Sequence, residues 1–134
     1  MAANPVGTGP LRLDEEVREI QLGLRRSIGE SVFEIHQAWA PRPRDVRRAL
    51  LDYSPEFVHF CGHGAGDEGL IFENESGEPH LISTEALAGL FELFSAQIKC
   101  VVLNACYSDL QARAIAQHIE AVVGMQRAIG DQSA

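Results

Sequence analysis

Cys106 closes the run Val101-Val102-Leu103-Asn104-Ala105-Cys106, and His63 stands between Gly62 and Gly64 just after Phe57-Val58-His59-Phe60-Cys61. A thiol and an imidazole are the pair that covalent acyl chemistry needs. The sulfur attacks a carbonyl carbon and the ring moves the protons. Both runs are short and apolar, so each reads as a strand. Each reactive side chain then falls at the carboxyl end of its strand, where open α/β sheets place their sites. If the two strands are neighbours, His63 and Cys106 meet at one sheet edge. The glycines beside His63 let the backbone bend sharply and let a substrate come close. The N–H groups of Gly64 and Cys106 are candidates for an oxyanion hole.

Each of these residues has a plainer reading. A free cysteine is often a small buried hydrophobe, which suits Cys61 and mid-strand Cys100 and is open for Cys106. His59 lies inside its strand and reads as a half-buried structural histidine. Zinc ligation by Cys61, His63, Cys100 and Cys106 is disfavoured, because the spacings match no usual ligand pattern. Gly62 to Gly66 leads into a hairpin rather than a helix, so it lacks the logic of a phosphate loop. Arg42, Arg44, Arg47 and Arg48 read as a solvated helix face, with a docking patch as the alternative.

The elements that would position the pair follow from periodicity. A helix is predicted from about Leu11 to Ser27, acidic in its first turn and closed by Gly29, with Leu13, Val17, Ile20 and Leu24 as its stripe. Val32 to Trp39 alternates like a half-buried strand. Pro43 opens a second helix with the stripe Val46, Ala49, Leu50 and Tyr53. After the His63 strand, Leu70 to Glu73 and His80 to Ile82 flank a polar turn and make a β-hairpin. Ser83 or Thr84 caps a third helix carrying Leu87, Leu90, Phe91 and Phe94. Ser108 and Asp109 suit the start of a fourth helix, Leu110 to Ile119, whose partly positive amino end would favour a thiolate at Cys106. Ala121 to Met125 is a last strand. This alternation predicts a mainly parallel sheet with helices on both faces.

A chain of 134 residues accommodates one domain with a real core. Its 46% apolar content and mixed charge fit a globular protein rather than a disordered one. The formal charge of −8 argues against a general nucleic-acid binder. No apolar run reaches the length of a membrane span, and the N-terminus lacks a signal-peptide pattern. Three cysteines without disulfide-like spacing fit a reducing compartment, here expected to be the cytoplasm.

His63-Gly64 ahead of a hairpin, then Leu103-Asn104-Ala105-Cys106-Tyr107-Ser108, then Val123-Gly124-Met125-Gln126 with Ala128-Ile129 and Asp131, resembles the CHAT domain. These are caspase-like, separase-related cysteine peptidases, common in bacteria. The similarity runs from Ala2-Ala3-Asn4-Pro5 through nearly the whole chain. The resemblance implies a caspase-like three-layer α/β sandwich over residues 1–134, with His63 and Cys106 as a catalytic dyad. It implies no metal and no cofactor. It also implies a protein or peptide substrate, and regulatory modules in the same polypeptide or complex. Asp131 matches the acid that lines the pocket for a basic residue in separase-like peptidases; a helix cap is its alternative role. In the family order a central strand precedes Ala2, between the Val32–Trp39 and Phe57–Cys61 strands. That strand and the family's C-terminal elements are expected to be missing here. Strands lie about 4.8 Å apart, so loss of the first strand would leave a gap of about 9.6 Å, and these 134 residues alone are expected to be unstable or self-associating.

Two further functions fit the same residues: a non-catalytic interaction module with a caspase-like fold, and a different thiol enzyme such as an amidase.

Overall fold

Burial alternates along the central strand of this protein: Val101 and Leu103 are fully enclosed on one face, while Cys100, Val102 and Asn104 are half-buried on the other. Both faces are thus covered to some degree, as a parallel strand between helical layers requires. The structure, a computed structural model, describes residues 1–28 and 33–128.

The parallel sheet is built from β1 (Phe57–Cys61), β5 (Cys100–Asn104) and β6 (Ala121–Val123) in the order β1-β5-β6. A separate antiparallel sheet contains β2 (His63–Gly64), β3 (Gly69–Glu73) and β4 (Pro79–Ser83). The expected hairpin is β3–β4, and β2 adds a third strand to it. Asn74 shapes the hairpin turn, its side-chain oxygen accepting from the Ser76 and Glu78 N–H groups.

Among the described residues four helices flank the sheet. The main core joins Val58, Phe60, Val101 and Leu103 to side chains from three of them. These are α2 (Pro43–Tyr53) with Val46 and Leu50, α3 (Thr84–Leu93) with Leu87 and Phe91, and α4 (Asp109–Ile115) with Ala112 and Ile115. Phe60 and Phe72 pack ring against ring at 4.8 Å, tying the two sheets together. On the other face lies α1 (Leu13–Ile28), whose Leu13 packs with Ala2 and Cys61. The fold is the mixed α/β, caspase-like arrangement that the sequence predicts. No helix among the described residues is long and apolar enough to cross a membrane.

Several expectations need correction. Phe33 to Ala38 do not form a strand; only a single parallel bridge joins Trp39 to Ala2. A strand needs a ladder, and among the described residues the segment paired with Trp39 is Met1–Ala3. Ala2 N–H donates to Ala38 C=O, and Ala40 N–H donates to Ala2 C=O, both at 2.9 Å. On its other side that segment runs parallel to β1, with Cys61 N–H donating to Met1 C=O and Ala3 N–H donating to Cys61 C=O. Beyond it the space between the 33–39 segment and β1 is an open groove of about 870 Å³, lined also by Val17, Ile20 and Leu24 of α1. Cys100 opens β5 rather than lying mid-strand, and it faces this groove. The fourth helix ends at Ile115, not Ile119, although Ile119 is still buried. Gly29, Val32 and Asp131 lie outside the described residues.

Candidate active site

Parallel pairing of β1 with β5 sets Phe60 opposite Leu103 and Cys61 opposite Asn104. The match continues one step further, since Gly62 N–H donates to Asn104 C=O at 3.2 Å. His63 follows Cys61 by two residues, and Cys106 follows Asn104 by two. The pair therefore leaves the sheet at the same edge and the same height.

The backbones there are in contact. A Cβ placed on Gly64 would stand 1.9 Å from the Cys106 carbonyl oxygen and 3.5 Å from the Cys106 nitrogen. No side chain but hydrogen fits. Ala65 N–H donates to Gly69 C=O, and hydrogen-bonding pairs alternate along an antiparallel ladder. The Gly64 N–H therefore points away from β3. Among the described residues the Cys106 N–H has no hydrogen-bond acceptor.

Two features hold the cysteine turn in shape. Tyr107 has φ 54°, a left-handed conformation that is uncommon without glycine. Ser108 is fully buried, and its hydroxyl donates to Leu103 C=O at 3.1 Å while accepting from Met125 N–H at 3.0 Å. Asp109 N–H donates to Met125 C=O. The serine expected to suit a helix start thus ties the end of β5 to the segment after β6, and its side chain makes no cap. Gly124 permits that approach, because its Cβ would meet the Ser108 carbonyl oxygen at 2.7 Å.

On the other side of the turn, buried Gln111 donates to Gly66 C=O and Thr84 Oγ1, both at 2.7 Å. It anchors the loop that follows His63. Neither Ser108 nor Gln111 stood out as a site support in the sequence: Met125, Gly66 and Thr84 are distant in the chain, and the short step from Ser108 to Leu103 leaves no periodic signal.

The His63 ring pairs with Asn4 Oδ1 at 3.3 Å rather than with the Cys106 thiol. Cys106 is half-buried, beside a small cavity of about 60 Å³ that Glu16, Asn104, Met125 and Arg127 also line. The Glu16 carboxylate accepts from the Asn104 side-chain amide and sits 3.4 Å from His59 Nε2. Burial pushes His59 below the ordinary imidazole value, against the pull of Glu16. Burial first, then Glu16, pushes the Cys61 thiol up to about 12. Cys61 is therefore a thiol, not a nucleophilic thiolate, at neutral pH.

The family model of the CHAT domain matches residues 3–131. The chain belongs to the CHAT family. Two curated relatives of this CHAT domain are a "Probable protease" from Gillisia limnaea and a "Roc-COR-CHAT protease" from an unknown prokaryotic organism. The first is 23% identical over 126 residues, covering 92% of this chain and 22% of the relative. The second is 24% identical over 143 aligned positions, covering 100% of this chain and 13% of the relative. The CHAT chain thus spans less than a quarter of the length of either relative.

Proposed function

We propose that this CHAT domain is a cysteine-type endopeptidase with His63 and Cys106 as its dyad. The observation that carries this reading is the equal offset of the two residues beyond the paired Cys61 and Asn104. Family membership and two relatives named as proteases support a peptidase-like activity.

In this reading the Cys106 sulfur attacks the scissile carbonyl carbon. His63 takes the thiol proton and delivers it to the leaving amine as the C–N bond breaks. Water then hydrolyses the thioester, releases the carboxylic acid and restores the thiol. The N–H groups of Gly64 and Cys106 stabilise the oxyanion in both steps. The Asn4 contact holds the ring until substrate arrives, when His63 turns to the sulfur; such hydrogen bonds commonly tighten only in the complex. Asp131 sets a preference for a basic residue before the cut. Regulatory modules elsewhere in the polypeptide control the activity, as the composite name of one relative suggests.

A thiol-reactive peptidyl probe tests this reading. Cys106 should be labelled, His63→Ala should suppress labelling, and Cys106→Ala should abolish cleavage while Cys100→Ala does not. Equal cleavage by the Cys106→Ala protein ends the peptidase proposal. Partner binding that survives loss of both residues, with no labelling, would favour the interaction module.

A further inference from the structure

Beneath the candidate dyad, on the α1 face of the sheet, three metal-ligating side chains converge. His59 and Cys61 are two residues apart on β1 and so project from the same face. Glu16 reaches them from α1. A Glu16 carboxylate oxygen, a His59 ring nitrogen and the Cys61 sulfur all lie within 4.8 Å of one another. His59 Nε2 is 3.4 Å from Glu16 Oε1 and 3.8 Å from Cys61 Sγ.

These separations can be compared with those around a tetrahedral zinc ion. Zn–N and Zn–O bonds of about 2.1 Å and a Zn–S bond of about 2.3 Å put nitrogen about 3.4 Å from oxygen and about 3.6 Å from sulfur. The two separations from the His59 nitrogen match to within a few tenths of an ångström. The oxygen and sulfur lie within 4.8 Å of each other, against about 3.6 Å around an ion, so side-chain shifts of about an ångström would bring all three atoms onto one ion. A thiolate, an imidazole and a carboxylate are also a donor set suited to zinc rather than to magnesium or calcium.

We propose that Glu16, His59 and Cys61 form a zinc-class metal site, separate from His63 and Cys106. Binding exchanges the Cys61 thiol proton for the metal, giving a metal thiolate and one released proton. His59 and Cys61 line the open groove, so water supplies a fourth ligand from that side. Asn104, donating to Glu16 Oε1, acts as the outer-shell partner that fixes the carboxylate. The metal pins α1 to the carboxyl end of β1. This site does not depend on the peptidase reading.

Cobalt(II) titration of the chelator-treated protein reports on it directly. A thiolate-to-cobalt charge-transfer band with tetrahedral visible bands should appear, and zinc should displace it. Glu16→Gln and His59→Gln should each weaken binding by about tenfold or more. Cys61→Ala should remove the charge-transfer band, while Cys106→Ser and His63→Ala leave it intact. If Cys61→Ala does not fold, the loss of affinity in Glu16→Gln and His59→Gln carries the test. No band at saturating cobalt overturns the site. So does a band that survives in Cys61→Ala, or one that disappears with Cys106 or His63, which would place the metal at the dyad instead.

Discussion

Gly64 and Cys106 touch through their backbones: a single carbon added to Gly64 would stand 1.9 Å from the Cys106 carbonyl oxygen. Neither segment can yield without moving the other, because the 65–69 loop is bonded to itself and to Gln111.

Gly64→Ala should therefore separate the two strand ends and destabilise the protein by about 1–3 kcal/mol, the usual cost of overpacking. Labelling of Cys106 by a peptidyl probe should fall at least as sharply. Gly89 offers the contrast. It lies on α3 with open space around its Cα, so Gly89→Ala should stabilise by about 0.4–1 kcal/mol. Urea denaturation of both proteins checks the pair, and a harmless Gly64→Ala would mean that the contact is not maintained in solution.

Ser108→Ala should cost about 1–3 kcal/mol, because it leaves Leu103 C=O and Met125 N–H without their partner in a buried setting. The cysteine turn should loosen with it, so the rate of Cys106 alkylation should change more than that of Cys100. Identical rates at Cys106 in both proteins would show that Ser108 supports the fold but not the turn.

Stability should fall on both sides of neutrality in the metal-free protein. His59 is held below its ordinary value in the folded state. As pH drops through about 6.5 the unfolded chain gains a proton that the folded chain refuses, so stability declines from there downward. Cys61 acts in the opposite sense. Its folded value of about 12 exceeds the ordinary 9.0, so stability is kept below pH 9.0 and lost as pH rises toward 12. His59→Gln should flatten the acid limb and Cys61→Ala the alkaline one, measured as urea midpoints across pH. An alkaline limb unchanged in Cys61→Ala would assign it to another group.

Asp131→Ala should reduce the preference for arginine or lysine before the scissile bond more than it reduces turnover on other substrates. Profiling with a peptide library is the measurement, and a preference for acidic or apolar residues there would remove Asp131 from the pocket.

Much of this architecture was legible in the sequence because it repeats locally. Leu87 and Phe91 on α3, and Val101 and Leu103 on β5, announce their faces by spacing alone, and all four are buried. Asn74 and Gly77 mark the hairpin turn in the same way. What sequence reading missed is either very short or long-range. β2 has two residues, too few for any period. Glu16 and Asn104 are 88 positions apart and meet only after folding. Alternation in Phe33 to Ala38 satisfies the side-chain pattern of a strand, but Ile35 and Trp39 stay exposed because among the described residues no neighbour continues the ladder there. The candidate site was legible as two residue types at two strand ends; the brace formed by Ser108 and Gln111 was not.

The shared register of β1 and β5 also limits how such a domain can diverge. Inserting one residue between Cys61 and His63 would turn the imidazole to the opposite face and advance it by about 3.3 Å, and an insertion between Asn104 and Cys106 would do the same to the thiol. Neither change could be offset by repacking. Length variation should therefore be accepted in exposed turns such as Asn74 to Glu78 and rejected in these two short intervals. A library of single-codon insertions scored for folding and for Cys106 labelling would draw that boundary along the gene.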